Sequence, residues 1–250
     1  MASHPMKENG IDVLGECGVT QVHHYAPLHY LPFIAREKAL LCKPTLARLG
    51  FGPSHLRSMS SKQDIERGFG DCAFLTIDFE PRIVKAKLFA GFPHIALRVP
   101  SKAFLGVDFS LCRYNVAMTR VLRRHGMPGR PESATNGRYY DKRQLPVARE
   151  LPDKKAMLKE HLPRRTMIEV LVHGDFFLPS DTTVICYAEE DAKIARLVLS
   201  ECGVPWGCAC EPPPGPYRRN RSYVSKVEEF IETALMDPAW RGNGLEFDRV

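Results

Sequence analysis

The segment Met167–Val172 places the strongest constraint on the fold of this chain. It reads Met-Ile-Glu-Val-Leu-Val, which is typical of a β-strand, and the side chains of a strand alternate between two faces. Both faces are apolar apart from Glu169, so neither has the pattern of a simple solvent face. A carboxylate in such a strand must meet water, a partner group or a ligand, because burying an unpaired charge is costly. Two interpretations follow: an edge strand whose Glu169 faces solvent, or a carboxylate presented into a cleft, where functional acids are found.

The remaining apolar segments are short and alternate in type. Apolar spacing predicts an amphipathic helix over Leu28–Leu41. Further strands are predicted at Ala73–Phe79, His94–Val99 and Thr182–Tyr187, and further helices at Asn115–Arg124, Asp191–Cys202 and Tyr223–Leu235. Short helices and separated strands predict an α+β architecture in one compact domain. The proline run Pro212–Pro216 predicts a stiff connector, with the C-terminal arm beyond it as an appendage.

Composition excludes several classes of protein. The chain has 250 residues, of which 44% are hydrophobic, so it can bury a sizeable core and is too apolar for wholesale disorder. The longest apolar runs are only a few residues, which predicts no transmembrane helix. Charged residues within the first twenty positions argue against a secretory signal. We therefore expect a cytoplasmic protein with no membrane partner.

The cysteines favour reduced thiols over a disulfide framework. Eight cysteines are spread through apolar segments, which is typical of buried thiols in a cytosolic protein. The one cluster in sequence comprises Cys202, Cys208 and Cys210. A structural zinc site usually pairs two close ligand couples, and no second couple follows this cluster. The sequence therefore predicts no metal.

The positive charge is concentrated in the middle of the chain. The range 113–165 holds fourteen Lys/Arg and five Asp/Glu, a local net charge of +9, against +6 for the whole chain. Tyrosines are interleaved with these cations, and phosphate attraction plus stacking surfaces is what a polynucleotide requires. The alternative is a solvated surface that merely carries excess arginine. The candidate nucleic-acid-binding residues are Arg138, Tyr139, Lys142, Arg143, Arg149, Lys154, Lys155, Arg164 and Arg165.

Two further groups of residues have the chemistry of a ligand site. The adjacent pair His23 and His24 precedes a predicted helix and can hydrogen-bond a ligand, or the two can be ordinary strand-end histidines. The stretch from His55 to Asp71 combines glycines with Arg57 and Arg67, and such a loop can approach a diphosphate closely. Each arginine could equally lie on the surface. No Walker loop or Rossmann fingerprint is present, so this is no standard nucleotide fold.

Taken in chain order, the histidine pair, the arginine-containing stretch, the basic region and the Glu169 strand resemble the DarT-type DNA ADP-ribosyltransferases, the toxins of bacterial toxin–antitoxin pairs. Val22-His23-His24-Tyr25-Ala26-Pro27-Leu28-His29-Tyr30-Leu31-Pro32-Phe33-Ile34 resembles the family's opening His-x-Thr-His…Asn-Leu-x-x-Ile pattern. Arg164-Arg165-Thr166-Met167-Ile168-Glu169-Val170-Leu171-Val172, with the following strand and helix, resembles its Arg-Arg-x-x-Glu-x-Leu-Val block. The similarity spans roughly residues 20–203. It implies a split β-sheet core with flanking helices, divided into an N-terminal extension (1–19), a catalytic domain (20–211), and a proline-rich connector with a C-terminal helical arm (212–250).

The resemblance also implies roles for individual residues. Glu169 matches the catalytic glutamate, and His24 matches the motif histidine that contacts NAD. Arg57 is the best match to the catalytically required, phosphate-binding arginine, with Arg67 as its rival. The neighbours expected to bind the cofactor are His23, Tyr25 and Tyr30. The chain departs from the family at Ala26, Pro27 and Tyr30, where the family usually has Thr, His and Asn, so the pocket is expected to be redrawn or cofactor use altered.

The activity implied is transfer of ADP-ribose from NAD to a base of single-stranded DNA, with DNA preferred over RNA. A macrodomain antitoxin is the implied protein partner. Breaking the nicotinamide–ribose bond builds positive charge on the ribose, which a carboxylate at position 169 can stabilise. Two alternatives stay open: an NAD-using transferase that acts on RNA or protein and need not use Glu169, and a non-catalytic nucleic-acid-binding domain.

Overall fold

The computed structural model describes residues 12–51, 69–77, 82–113, 147–165, 167–237 and 239–240. The strands are β1 Gln21–Pro27, β2 Ala39–Leu40, β3 Cys72–Ile77, β4 His94–Pro100, β5 Phe109–Cys112, β6 Val147–Ala148, β7 Ile168–His173, β8 Phe176–Phe177, β9 Thr183–Cys186 and β10 Gly207–Cys210. The α-helices are α1 Val13–Glu16, α2 Leu31–Glu37, α3 Lys43–Arg48, α4 Arg82–Phe89, α5 Leu151–His161, α6 Glu189–Glu201 and α7 Arg221–Met236. Short 3₁₀ helices cover Leu28–Tyr30 and Ser101–Phe104.

Eight of the described strands form one mixed sheet. Their order is β10-β9-β4-β1-β3-β7-β5-β6, while β2 and β8 form a separate pair. Neighbours are antiparallel except β9 and β10, which run parallel. The strand that carries Glu169, β7, lies between β3 and β5. The edge-strand interpretation of Met167–Val172 is therefore wrong.

The sheet is divided between β1 and β3. These two strands are registered at a single residue pair, His23 with Thr76. By contrast, β1 pairs with β4 from Gln21 to Pro27, and β3 pairs with β7 over its full length. We call the two parts the β1 half (β10, β9, β4, β1) and the β7 half (β3, β7, β5, β6). The predicted α+β architecture and split sheet are confirmed.

One face of the sheet carries the main core. Alternate residues of the central strands face the layer of helices, as strand alternation requires, and the apolar ones pack there with no more than 5% exposure. This set includes Val22 of β1, Leu97 of β4, Leu75 of β3 and Val170 of β7. Residues Ala192, Ala195, Val198 and Leu199 of α6 belong to the same core cluster.

The opposite face has two smaller apolar clusters rather than one core. On the β1 half, Val84 and Leu88 of α4 pack on Ala96, Ile185 and Tyr187. On the β7 half, the second cluster comprises Phe69, Cys72, Cys112 and Leu171. Polar residues occupy the sheet between the two clusters, so this face is the one that can present chemistry.

Most predicted elements are confirmed, with differences at their ends. The strands predicted from 73, 94, 167 and 182 and the helix predicted over 191–202 are present as β3, β4, β7, β9 and α6. The helix predicted over 28–41 is shorter: a 3₁₀ turn precedes α2, and Lys38 stops it in the left-handed region at φ 52°. The helix predicted at 115–124 lies outside the described residues.

The C-terminal helix is part of the packed body. Its apolar face, formed by Val227, Phe230, Ile231 and Ala234, has at most 5% exposure. Arg36 of α2 also donates a hydrogen bond to the backbone carbonyl of Ala234. The expectation of an appendage is wrong, because an amphipathic helix with such a face gains more by packing than by remaining in solvent.

Within the part of the chain that the structure describes, every helix is too short or too polar to cross a bilayer.

Candidate active site

A row of side chains crosses the sheet at the junction of its two halves. Registered pairs place Arg98 beside His23, His23 beside Thr76, Thr76 beside Glu169, and Glu169 beside Cys112. Directly paired residues point to the same face, so these five residues share the face that lacks the main core. Neighbouring strands are about 4.8 Å apart, which puts the backbones of His23 and Glu169 about 10 Å apart. We call this set the cross-sheet row.

Glu169 is buried at the centre of this row. Its exposure is 7%, and its strand is flanked on both sides by other strands. Its strand neighbours Ile168 and Val170 face the main core, as alternation requires. A buried carboxylate that shares a sheet face with other polar side chains is typical of a functional site.

His23 brings a neutral imidazole to the same face. Burial, and then the positive charge of Arg98, lower the pKa of His23 to about 4. Its ring stacks on that of Tyr25 with centroids 6.1 Å apart and planes 6° apart. Its Nδ1 atom is buried and has no hydrogen-bond partner among the described residues. The imidazole is therefore uncharged at neutral pH and has an uncommitted nitrogen.

A pocket of about 190 Å³ opens on the β1 half of the row. It lies between the sheet and the chain that follows β10, and its lining residues are His23, Tyr25, Ala96, Arg98, Ile185, Tyr187, Glu211, Pro212 and Pro214. Small-molecule sites usually enclose about 300–1,000 Å³. This pocket is therefore large enough for a fragment of a dinucleotide rather than the whole molecule.

Arg98 is the cation of this pocket. Its Nη2 atom lies 2.7 Å from Oε1 of Glu211, and its Nε atom is buried without a hydrogen-bond partner in the described chain. Sequence reasoning missed Arg98. The signal was present, because Arg98 is a lone charge in an otherwise apolar strand, as Glu169 is.

The wall of the pocket is fixed by a buried polar network. Asp191, at the start of α6, is fully buried and accepts hydrogen bonds from the Tyr217 hydroxyl at 2.6 Å and from Nη2 of Arg219 at 2.8 Å. Burial raises the pKa of Asp191, while the bond from Tyr217 and the charge of Arg219 oppose that rise. Three polar groups thus anchor the connector 212–220 to α6, so its prolines hold a defined position beside Arg98.

His24 lies on the other side of β1 from His23. Its Nδ1 atom is 2.7 Å from the backbone carbonyl oxygen of Phe74 in β3, to which the neutral ring donates its proton. Burial lowers the pKa of His24, which keeps the ring neutral. His24 therefore bridges the two halves of the sheet, while His23 and Tyr25 are the residues that share the face of Glu169.

Tyr30, also predicted to bind the cofactor, does not belong to the cross-sheet row. Tyr30 packs against the aromatic cluster of Phe33, Phe51 and Phe230 beneath α7. Arg57 and Arg67 lie outside the described residues, so their roles stay predictions.

The described residues that were predicted to bind nucleic acid differ in their exposure. Arg149, Arg164 and Arg165 are exposed, although Arg164 pairs with Glu160 at 3.1 Å. Lys155 pairs with Glu16 at 2.7 Å. Arg138, Tyr139, Lys142 and Arg143 lie outside the described residues.

Lys154 is the exception among these cations. It is only 3% exposed, with its ammonium 4.5 Å from the ring centre of Phe109. Its assignment to a nucleic-acid surface is wrong, because the periodicity of α5 turns this side chain inward onto β5.

Comparison with known proteins defines the fold. No protein-family model matches the sequence, and no curated protein matches it significantly. Solved structures do match: the chain is similar to Thermus sp. 2.9 DarT in complex with ADP-ribosylated single-stranded DNA, with a TM-score of 0.51 and 13% identity over 84% of this chain and 100% of that one. It is equally similar to the same DarT in complex with NAD⁺, with a TM-score of 0.51 and 13% identity over 79% of this chain and 98% of that one.

The chain thus shares the fold of these structures, with a large central mixed sheet and flanking helices. More narrowly, this is a divergent DarT-like fold, as the sequence predicts.

Proposed function

We propose that this chain is an NAD-dependent ADP-ribosyltransferase that modifies a base of single-stranded DNA. The observation that carries the proposal is the cross-sheet row, in which a buried glutamate shares one face with a neutral histidine and an arginine-bearing pocket. The proposal is supported by the shared fold of a DarT bound to NAD⁺ and of a DarT bound to ADP-ribosylated single-stranded DNA.

In the proposed reaction, Glu169 acts on the ribose attached to nicotinamide. The bond between ribose C1′ and the nicotinamide nitrogen breaks, and its electron pair leaves with nicotinamide. The positive charge that develops on the ribose is stabilised by the carboxylate, whose effect is strong in a site that excludes water. A nucleophilic atom of the base then bonds to C1′ and loses its proton, which Glu169 can accept.

The β1 half holds the cofactor in this proposal. His23 offers an uncommitted ring nitrogen, and Tyr25 supplies an aromatic surface. Arg98 can pair with an anionic group of NAD in place of Glu211, since arginine recognises phosphate and carboxylate with the same geometry. Arg57 stays the proposed diphosphate ligand and Arg67 its rival. Fixing the dinucleotide in this way converts binding energy into a reactive orientation.

Single-stranded DNA would approach along the basic segment that leads into β7. Arg165 is exposed and lies four residues before Glu169 in the chain, next to the exposed Arg164. Cations beside the reacting carboxylate attract the phosphate backbone, and a single strand presents its bases without the cost of unpairing a duplex. The proposal includes a macrodomain antitoxin as protein partner.

The test is to weigh oligonucleotides after incubation with NAD and purified protein. We expect the mass of one ADP-ribose on single-stranded DNA, with release of nicotinamide. Glu169→Ala should remove the adduct, whereas Glu201→Ala, at an exposed glutamate on α6, should retain it. If RNA or protein were modified and DNA were not, the substrate class of the proposal would be wrong and the enzyme class would stand. The proposal of an enzyme would be refuted if NAD did not raise the thermal unfolding midpoint and no substrate carried an adduct.

A further inference from the structure

A cluster of metal-ligating side chains lies at the far end of β3 and β7 from the cross-sheet row. Asp71, Cys72 and His173 each offer one ligand atom, and these three atoms lie within 4.8 Å of one another. Cys72 is paired with His173 across the two strands, so the sheet register itself brings the sulfur and the imidazole together. We infer that Asp71, Cys72 and His173 form a binding site for a zinc-like divalent cation, a site separate from the proposed catalytic one.

Two of the three ligand-to-ligand distances fit tetrahedral zinc, and the third, between Asp71 and His173, is within 4.8 Å. Cys72 Sγ lies 3.5 Å from Nδ1 of His173 and 3.8 Å from Oδ1 of Asp71. Zinc bond lengths and tetrahedral angles place a sulfur about 3.6 Å from a nitrogen ligand and a similar distance from an oxygen ligand. Thiolate, imidazole and carboxylate together are the donor set that zinc prefers. Three protein ligands leave a fourth position for water.

The hydroxyl group of Ser110 orients the histidine. Nε2 of His173 lies 2.8 Å from the hydroxyl oxygen of Ser110, which is 1% exposed. When Nε2 donates its proton to that oxygen, Nδ1 carries the lone pair that faces Cys72. Metal-bound histidines almost always have such a partner on the other ring nitrogen, where it fixes the tautomer and the ring plane.

The same residues suit a catalytic dyad poorly. Burial, and then the Asp71 carboxylate, raise the pKa of the Cys72 thiol to about 12, so the sulfur is not a thiolate nucleophile. Ser110 is too buried to reach a substrate. A divalent cation reverses the local preference: the thiol releases its proton to solvent as the ion binds, and the negative charges of Asp71 and the sulfur are neutralised.

The site would tie together three parts of the β7 half. Asp71 directly precedes β3, Cys72 begins β3, His173 ends β7, and Ser110 belongs to β5. The backbone NH of His173 also donates to the carbonyl of Asp108. A bound ion therefore clamps the strands on both sides of Glu169, and its expected role is structural.

The first experiment counts zinc and identifies its ligands in the full chain. After incubation with zinc and removal of free metal, we expect one tightly bound ion per chain by elemental analysis and a higher thermal unfolding midpoint. X-ray absorption at the zinc edge should then show one sulfur with nitrogen and oxygen ligands. Two or three sulfurs would overturn the proposal, because Cys186, Cys208 and Cys210 would be the site. Absence of bound zinc would overturn it as well.

Variants with a matched cysteine control complete the test. Cobalt in the wild-type site should give a thiolate-to-cobalt charge-transfer band, which Cys72→Ser should abolish and Cys208→Ser should retain. Ser110→Ala keeps all three ligands and should weaken zinc binding about 10- to 100-fold. A band that survives Cys72→Ser, or zinc affinity unchanged by Ser110→Ala, contradicts the assignment.

Discussion

The two halves of the sheet differ in what they bring to the face they share. The β1 half supplies a pocket with a cation, a neutral imidazole and an aromatic ring, from Arg98, His23 and Tyr25. The β7 half supplies one buried carboxylate, Glu169, and no residue that lines the pocket. They meet at the registered pair His23–Thr76. Under the proposed function, this difference indicates that the β1 half recognises the cofactor and the β7 half stabilises the reacting centre.

The sharpest way to break this division is to neutralise the carboxylate alone. Glu169→Gln keeps the size of the side chain and removes its charge. We expect kcat for ADP-ribose transfer to fall at least about 100-fold, with KM for NAD little changed, because the lost interaction forms only as positive charge develops. A rise in KM with kcat unchanged would show that Glu169 binds NAD and does not stabilise the reacting centre.

His23 and His94 of the β1 half should contribute to the acid sensitivity of folding. Burial lowers the pKa values of His23 and His94 to about 4, from an ordinary 6.5. Between pH 6.5 and 4 the unfolded chain binds more protons than the folded one at these sites, so stability is complete above pH 6.5 and is lost as pH falls. Each histidine should account for roughly 2–3 kcal/mol of that loss.

Urea unfolding at pH 7 and pH 4 tests this assignment. His23→Gln should reduce the drop in unfolding free energy between the two values. An identical drop in the variant and the wild type would place the acid sensitivity elsewhere.

The junction itself can be weakened at His24. Replacing His24 with leucine removes the hydrogen bond to the Phe74 carbonyl and leaves that acceptor without its donor. The unfolding free energy should fall by about 1–3 kcal/mol. Transfer activity should fall in the folded variant too, because the halves lose their alignment. Full activity with unchanged stability would show that the bridge is dispensable.

The cation of the β1 half should affect binding rather than rate. Arg98→Gln is expected to raise KM for NAD about 10-fold with a small change in kcat, since charge-assisted bonds to an anionic cofactor are lost in ground and transition states alike. Glu211→Gln, which removes the partner and keeps Arg98, is the matched control and should not raise KM. Equal effects of the two variants would assign the pair to structure alone.

The smallest effect is expected at Arg165, an exposed cation just before β7. Arg165→Gln should weaken single-stranded DNA binding a few-fold and reduce the slope of log affinity against log salt by about 0.7. The buried Lys154 offers a comparison, because Lys154→Met should leave that slope unchanged. A shallower slope in the Lys154 variant would contradict its inward placement.

Sequence reasoning was most informative where a short pattern of residues determines the local secondary structure. An apolar strand interrupted by one glutamate predicted β7, and strong periodicity predicted α6 to within two residues at either end. The same logic applied to strand His94–Val99 would have found Arg98. These signals are local, so they can be read without knowing which elements become neighbours.

Sequence reasoning was weaker wherever the outcome depends on distant partners. The face of β1 that meets Glu169 is set by the register of His23 with Thr76, which no local pattern encodes, so the sequence alone could not tell which of His23 and His24 shares that face. Lys154 belongs to a basic stretch in sequence but to an inward face in space. The ligands Cys72 and His173 are about a hundred residues apart and became a cluster only through strand pairing.

The proline-rich connector has a consequence beyond the pocket it walls. Among the described strands, β10 forms an outer margin of the sheet, and an unpaired margin invites another chain to add its own strand. Pro212, Pro213 and Pro214 follow directly after Glu211, and proline has no amide hydrogen to offer such an addition. The ladder of hydrogen bonds therefore stops where the prolines begin, which keeps the unpaired margin of the sheet short on this side.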